Sequence, residues 1–179
     1  CHCGVEVLSM SKRIMNEVMC LAEDNGLSIY YQDTDSMHLP EKDIPKLRDL
    51  YMEKYSRELI GKDMGQFHSD FESKVIKKNI YAKESIFLGK KCYIDILEGE
   101  DNDGNVVNDH HIRMKGVSTG SILYKSKIEE RSELDIYKSL YNGNREEFDL
   151  ACDGNKCCFN FHSNFSITSK PSFLRQLAF

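Results

Sequence analysis

Between Leu27 and Leu39 the chain passes from an apolar run to an acidic tip and back again. Leu27 to Tyr31 leads in, Asp33-Thr34-Asp35 forms the tip, and Met37 to Leu39 leads out. Apolar residues on both sides of a short polar turn predict a tight β-hairpin. Successive strand side chains alternate faces, so Asp33 and Asp35, two apart, would converge on one point if the strand ran through both. Two carboxylates held that close repel each other unless something bridges them. A divalent cation would relieve the repulsion, and Mg²⁺ prefers one or two carboxylates completed by substrate phosphates. The same triplet also has a plain turn reading, because Asp bonds its own backbone and tolerates unusual dihedrals. From these residues alone, both readings stand.

Composition sets outer limits. A chain of 179 residues with 40% hydrophobic and 30% charged residues suits a globular core under a polar surface, as one domain or two small ones. No apolar run approaches the ~20 residues that a membrane-spanning helix needs, so no membrane partner is expected. The net charge of −5 argues against a protein that coats nucleic acid by bulk positive charge. The cations are instead concentrated at Lys74, Lys77, Lys78, Lys83, Lys90 and Lys91, then at Arg113 and Lys115. Such a strip is either a DNA-contacting surface or a solvated sheet face. Seven cysteines without regular spacing do not form a disulfide framework. Neither Cys1-His2-Cys3 nor Cys157-Cys158 has zinc-site spacing, so reduced thiols in an intracellular protein are expected, without structural zinc.

Periodicity predicts the elements. Val7, Met10, Ile14, Val18 and Leu21, widened by Met15 and Ala22, mark an amphipathic helix over 5–24, capped by Asn25-Gly26. Asp43-Ile44-Pro45 opens a second helix reaching about Ile60, with Leu47, Leu50, Tyr51, Tyr55 and Leu59 along one side. Residues 66–96 read as three or four short antiparallel strands, 98–109 as an acidic loop, and 111–114 as one more strand. Helices are expected over 121–130 and 134–142, a helical turn over 146–151, and one or two strands among 158–167. Residues 175–179 are expected to close the chain. A change of texture near Gly116 to Thr119 suggests a boundary there.

Tyr31-Gln32-Asp33-Thr34-Asp35-Ser36 matches, letter for letter, the Y-x-D-T-D-S signature of family B DNA polymerases. With Met37-His38-Leu39 it resembles the protein-primed branch found in viruses, linear plasmids and mitochondria. Lys91-Cys92-Tyr93 has the K-x-Y pattern that in this family follows the hairpin and holds the primer strand. A lysine and a tyrosine two apart would share one strand face, for a phosphate and for a sugar or base. Arg113-Met114-Lys115-Gly116-Val117-Ser118 resembles the basic segment leading from palm to thumb. Phe173-Leu174-Arg175-Gln176-Leu177-Ala178-Phe179 is similar to the C-terminus of the viral protein-primed group. The resemblance implies an α+β fold: an antiparallel palm sheet with the DTD hairpin and flanking helices in residues 1–116, then a small thumb-like subdomain in 117–179. The family's upstream signatures, D-x-x-S-L-Y-P and K-x-x-x-N-S-x-Y-G, and its exonuclease domain are not in this chain. A fragment that begins just after the fingers, inactive alone, is the expectation.

What the resemblance implies for chemistry is template-directed addition of dNTPs to a primer 3′-hydroxyl, with two Mg²⁺ ions, or Mn²⁺ in their place, held by catalytic carboxylates. Asp35 would be the direct ligand and Asp33 a second or outer one. Thr34 and Ser36 would fix the turn through backbone hydrogen bonds, and Tyr31 would pack under it. Lys91 and Tyr93, with Lys115 assisting, would grip primer–template DNA, and a terminal protein could serve as primer. Two other readings use the same residues. One is an inactivated remnant or interaction module that keeps the acidic hairpin for a partner. The other is a metal-dependent nuclease, for which Glu41 and Asp43 are the nearest additional acids.

Overall fold

A computed structural model describes residues 2–150, 157–161, 163, 164, 166–171 and 174–177. The chain is a mixture of helices and antiparallel sheets, and its contacts divide it into two compact units, Cys1–Asp70 and Phe71–Phe179. The position expected for the change from palm to thumb, after residue 116, lies inside the second unit.

The first unit begins with helix α1 (His2–Asp24). It ends where Gly26 takes φ +66° and the Leu27 N–H returns to the Ala22 carbonyl at 2.8 Å, a left-handed stop that glycine adopts without a Cβ clash. The hairpin follows as β1 (Tyr31–Asp33) and β2 (Ser36–His38). A 3-10 turn at Glu41–Asp43 then leads into α2 (Ile44–Tyr55), with Pro45 in its first turn. Val18, Leu21 and Ala22 of α1 pack on Leu47 and Tyr51 of α2 and on Leu59, and Leu27, Ile29, Met37 and Leu39 of the hairpin arms join the same core.

Two expectations need correction here. The apolar stripe of α1 is buried only in its second half, where those partners lie. Val7 and Met10 remain 64% and 61% exposed. Helix α2 also stops well short of Ile60. Ser56 turns left-handed (φ +52°), and the chain leaves as an irregular segment bridged between Ile60 and Phe67. Leu59 is buried from that segment, so its apolar spacing was mistaken for one more helical turn.

Glu17 knots this unit together by accepting from Arg13 Nε (2.8 Å), the Tyr51 hydroxyl (2.9 Å) and Arg57. Burial pushes the Glu17 carboxyl upward, but the hydrogen bonds from Arg13, Tyr51 and Arg57 outweigh it and hold the group below its ordinary value. The same contact, with burial as the larger cause, pushes the Tyr51 phenol up to about 12.

The second unit is built on one three-stranded sheet in the order β3 (Lys78–Gly89), β4 (Cys92–Glu100), β5 (Val106–Met114), antiparallel throughout. Of the three or four short strands expected over 66–96, the segment before Lys78 is irregular and the rest is the long strand β3 and the start of β4. The register of β3 against β4 shifts between Lys78 and Tyr81, Ala82 and Glu84, and Phe87 and Gly89, which breaks the period-two pattern into pieces. The expected acidic loop is mostly strand. Glu98 pairs with Asn108 and Glu100 with Val106, leaving only 101–105 as the connection. Ladder hydrogen bonds do not need apolar side chains, so polar composition hid the pairing. The turn is closed by Asp101, whose carboxylate accepts from the Asp103 and Asn105 N–H groups at 2.8 and 2.9 Å.

One face of the sheet supplies Cys92, Ile94, Ile112 and Met114 to a core with Ile122 of α3 (Thr119–Glu129), Ile136, Tyr137 and Leu140 of α4 (Glu133–Tyr141), and Phe148 of β6 (Glu146–Asp149). Ser118 caps α3, and Ser132 with Asp135 forms a reciprocal capping box on α4. β6 replaces the helical turn expected over 146–151. Phe148 and Leu150 are both buried while Glu147 is exposed, the alternation of a strand, and β9 (Leu174–Leu177) pairs with it. β7 (Cys157–Phe161) and β8 (Ile167–Pro171) form a separate ribbon. Cys1, Ala151, Phe165, Phe173, Ala178 and Phe179, on which several expectations fell, lie outside the described residues. Among the described residues no helix is long and apolar enough to cross a membrane.

Candidate functional site

The acidic tip is a two-residue connection. Tyr31 pairs with His38, Gln32 with Met37 and Asp33 with Ser36, so only Thr34 and Asp35 lie between the strands. The Asp35 N–H reaches back to the Asp33 carbonyl at 2.6 Å, and Thr34 is forced to φ +51°. A β-branched residue rarely occupies that region, so the turn holds local strain. Ser36 Oγ donates to the same Asp33 carbonyl at 3.1 Å, fixing the backbone. The Thr34 hydroxyl donates to Asp33 Oδ1 at 3.0 Å, to the carboxylate rather than to the backbone. Tyr31 is half-buried, with its ring edge against His38 at 5.5 Å between centroids and 74° between planes. Asp33 belongs to the strand and is half-buried, whereas Asp35 belongs to the turn and is exposed. Strict strand alternation therefore does not relate the two carboxylates. The turn brings them to one tip instead.

Two carboxylates at the tip offer hard oxygen donors of the kind Mg²⁺ takes in small number, so the donor set fits that ion. Among the described residues no three His, Cys, Asp or Glu side chains gather into a metal-holding group. A complete site on this hairpin would draw further oxygens from substrate, water or another carboxylate.

In the second unit the sequence-predicted residues meet at one end of the sheet. Lys91 sits in the turn between β3 and β4 at φ +61°, not in the strand, so strand geometry does not align it with Tyr93. The Lys115 N–H donates to the Lys91 carbonyl at 2.9 Å, which ties the two lysine positions together across the sheet end. Arg113 stands directly opposite Tyr93 on the neighbouring strand. Lys90, Lys91, Arg113 and Lys115 are all exposed there, a basic patch assembled from segments far apart in sequence. Elsewhere in the expected strip Lys83 is engaged with Glu98 at 2.5 Å. Tyr93 is only 9% exposed. Its ring lies between Phe87 (6.0 Å) and His111 (5.7 Å).

Sequence reasoning missed the neighbours of Tyr93 on the same sheet face. Asp95 is fully buried. Ser85 Oγ donates to its Oδ1 at 2.7 Å, and His111 Nδ1 lies 3.2 Å from its Oδ2. Phe71 closes on His111 edge-on at 6.1 Å. The available signal was one acid inside the apolar run Cys92-Tyr93-Ile94-Asp95-Ile96, because a carboxylate in a buried strand needs partners from other strands.

No family model matches the chain, and neither a curated protein nor a solved structure matches it.

Proposed function

We propose that this chain forms the C-terminal palm and thumb-like region of a family B DNA polymerase of the protein-primed type, acting in template-directed DNA synthesis. The observation that supports this reading best is the DTD tip itself, with Asp33 on the strand and Asp35 in the turn of a hairpin whose arms are seated in a hydrophobic core. An acidic pair kept only for turn chemistry would not need both carboxylates at a strained, anchored apex. The basic end of the sheet, with Lys91, Arg113 and Lys115 exposed together, offers a surface of the right sign for a DNA backbone.

In this reading Asp35 is the principal metal-holding carboxylate and Asp33 the supporting one. Bound Mg²⁺ would supply activation of the primer 3′-hydroxyl and neutralisation of the triphosphate. The Thr34 hydroxyl orients the Asp33 carboxylate, and the Ser36 hydroxyl fixes the backbone that carries both acids. Lys91 and Lys115 contact primer–template phosphates, and Tyr93 acts from its packed position beside them.

Primer extension by a polymerase carrying this chain tests the assignment. Asp35→Ala is expected to abolish dNTP incorporation while leaving folding and DNA binding near wild type. Extension at the wild-type rate by that variant would overturn the reading. Mg²⁺-dependent degradation of DNA without incorporation would replace it with a nuclease.

A further inference from the structure

The buried Asp95 carboxylate has no part in the chemistry above, yet it occupies the middle strand of the sheet, two residues from Tyr93. Positions that need only packing are filled here by Ile94, Ile96 and Leu97. Taking a carboxylate out of water costs several kcal/mol unless hydrogen bonds compensate, so its presence calls for a specific return. Its partners show where that return goes. Ser85 from β3 anchors one oxygen, and His111 from β5 meets the other through Nδ1. That contact fixes the plane of the imidazole, with Nδ1 turned toward Asp95. Phe71 holds the same ring from a second direction. The fixed imidazole then packs on Tyr93 at 60°, with Phe87 at 45° on the tyrosine's other neighbour contact.

Tyr93 is too enclosed to swing toward a ligand, so whatever it contributes depends on where its ring is held. We propose that Asp95 and His111 are positioning residues that set the placement of Tyr93 for contact with the primer strand. This rests on the polymerase reading of the K-x-Y segment and names what holds that segment's tyrosine in place. The chain from Ser85 through Asp95 and His111 to Tyr93 crosses all three strands. A change at Asp95 therefore reaches the DNA contact without Asp95 touching DNA. The rival role for the same groups is strand registry alone, since buried polar groups can specify pairing.

The test is equilibrium binding of a fluorescein-labelled primer–template duplex to a polymerase carrying this chain, read by anisotropy, with thermal unfolding followed in parallel. His111→Asn keeps an N–H donor for Asp95 but removes the ring from Tyr93. It is expected to fold like wild type and to weaken binding about tenfold, as is Tyr93→Leu, and the double variant should be no weaker than either single one. Asp95→Asn keeps the shape of the side chain and should weaken binding in the same direction. It makes the same comparison if His111→Asn does not fold. A double variant whose losses multiply, or single variants that bind as wild type does, would overturn the positioning role and leave registry. Failure of the wild-type polymerase to bind the duplex would instead bring down the polymerase reading, and the positioning role with it.

Discussion

Asp35 and Asp95 are both acidic residues in β-structure, and they meet opposite fates. The first stands exposed in a turn held by a backbone hydrogen bond and two hydroxyls. The second is sealed inside a sheet and answered by a serine and a histidine from the flanking strands. An exposed acid keeps its charge at little cost and is available to ligands, whereas a buried one survives only as part of a satisfied network. The surface acid belongs to a short contiguous motif. The interior acid depends on residues that meet only when strands pair.

Alanine scanning of the two acids should break the comparison if it is wrong. On the proposed polymerase reading, Asp35→Ala is expected to reduce incorporation by about a thousandfold or more, the scale of losing a principal electrostatic group at a reacting centre, with an unchanged urea midpoint. Asp95→Ala is expected to act first on folding. It should cost about 3 kcal/mol of stability by stranding His111 and Ser85, measured by urea unfolding. Equal stability losses at both sites would erase the distinction.

Backbone packing in the second unit is tested by Gly99→Ala. A Cβ there would meet Ile76 Cγ2 at 2.3 Å and the Lys78 carbonyl at 2.7 Å, and that carbonyl cannot yield. The variant should lose about 2 kcal/mol. An unchanged unfolding midpoint would show that the segment before β3 is not seated on the sheet.

A smaller effect separates the units by pH. Burial pushes the Glu146 carboxyl up, but hydrogen bonds from Ser139, Lys125 and Arg131 outweigh it and leave the group below its ordinary value. A depressed carboxylate contributes stability that is fully present above its unfolded pKa and lost as pH falls through the folded one. Glu146→Gln should therefore flatten the acid limb of unfolding in the second unit, and Glu17→Gln should do so in the first. An acid limb unmoved by either change would remove these knots from the account of stability.

The smallest expected change is at the tip. Thr34→Gly relieves the φ of +51° and should alter stability by less than about 1 kcal/mol, while slowing incorporation through the lost hydrogen bond to Asp33. A variant as active as wild type would show that the threonine hydroxyl does not orient the carboxylate.

The hairpin with its acidic tip, the cap at Gly26 and the start of α2 at Ile44-Pro45 were legible because each depends on neighbours a few residues away. The end of α2 was not. Leu59 has helical spacing but gains its burial from the segment paired with Phe67. The 98–109 segment misled for a related reason, since its polar side chains said nothing of the ladder joining Glu98 to Asn108. Lys91 and Tyr93 were singled out, but their relation was misjudged. A left-handed turn residue falls outside the alternation that was assumed for them.

By itself the sequence determined the acidic apex of the hairpin, because turn chemistry is local. Only the tertiary structure decided that Asp95 faces His111 and that Lys91 and Lys115 share one end of a sheet. It also decided that Tyr93 is enclosed among aromatic rings. Those relations join strands through cross-strand register, and register is settled by what the whole sheet buries, not by any single stretch of chain.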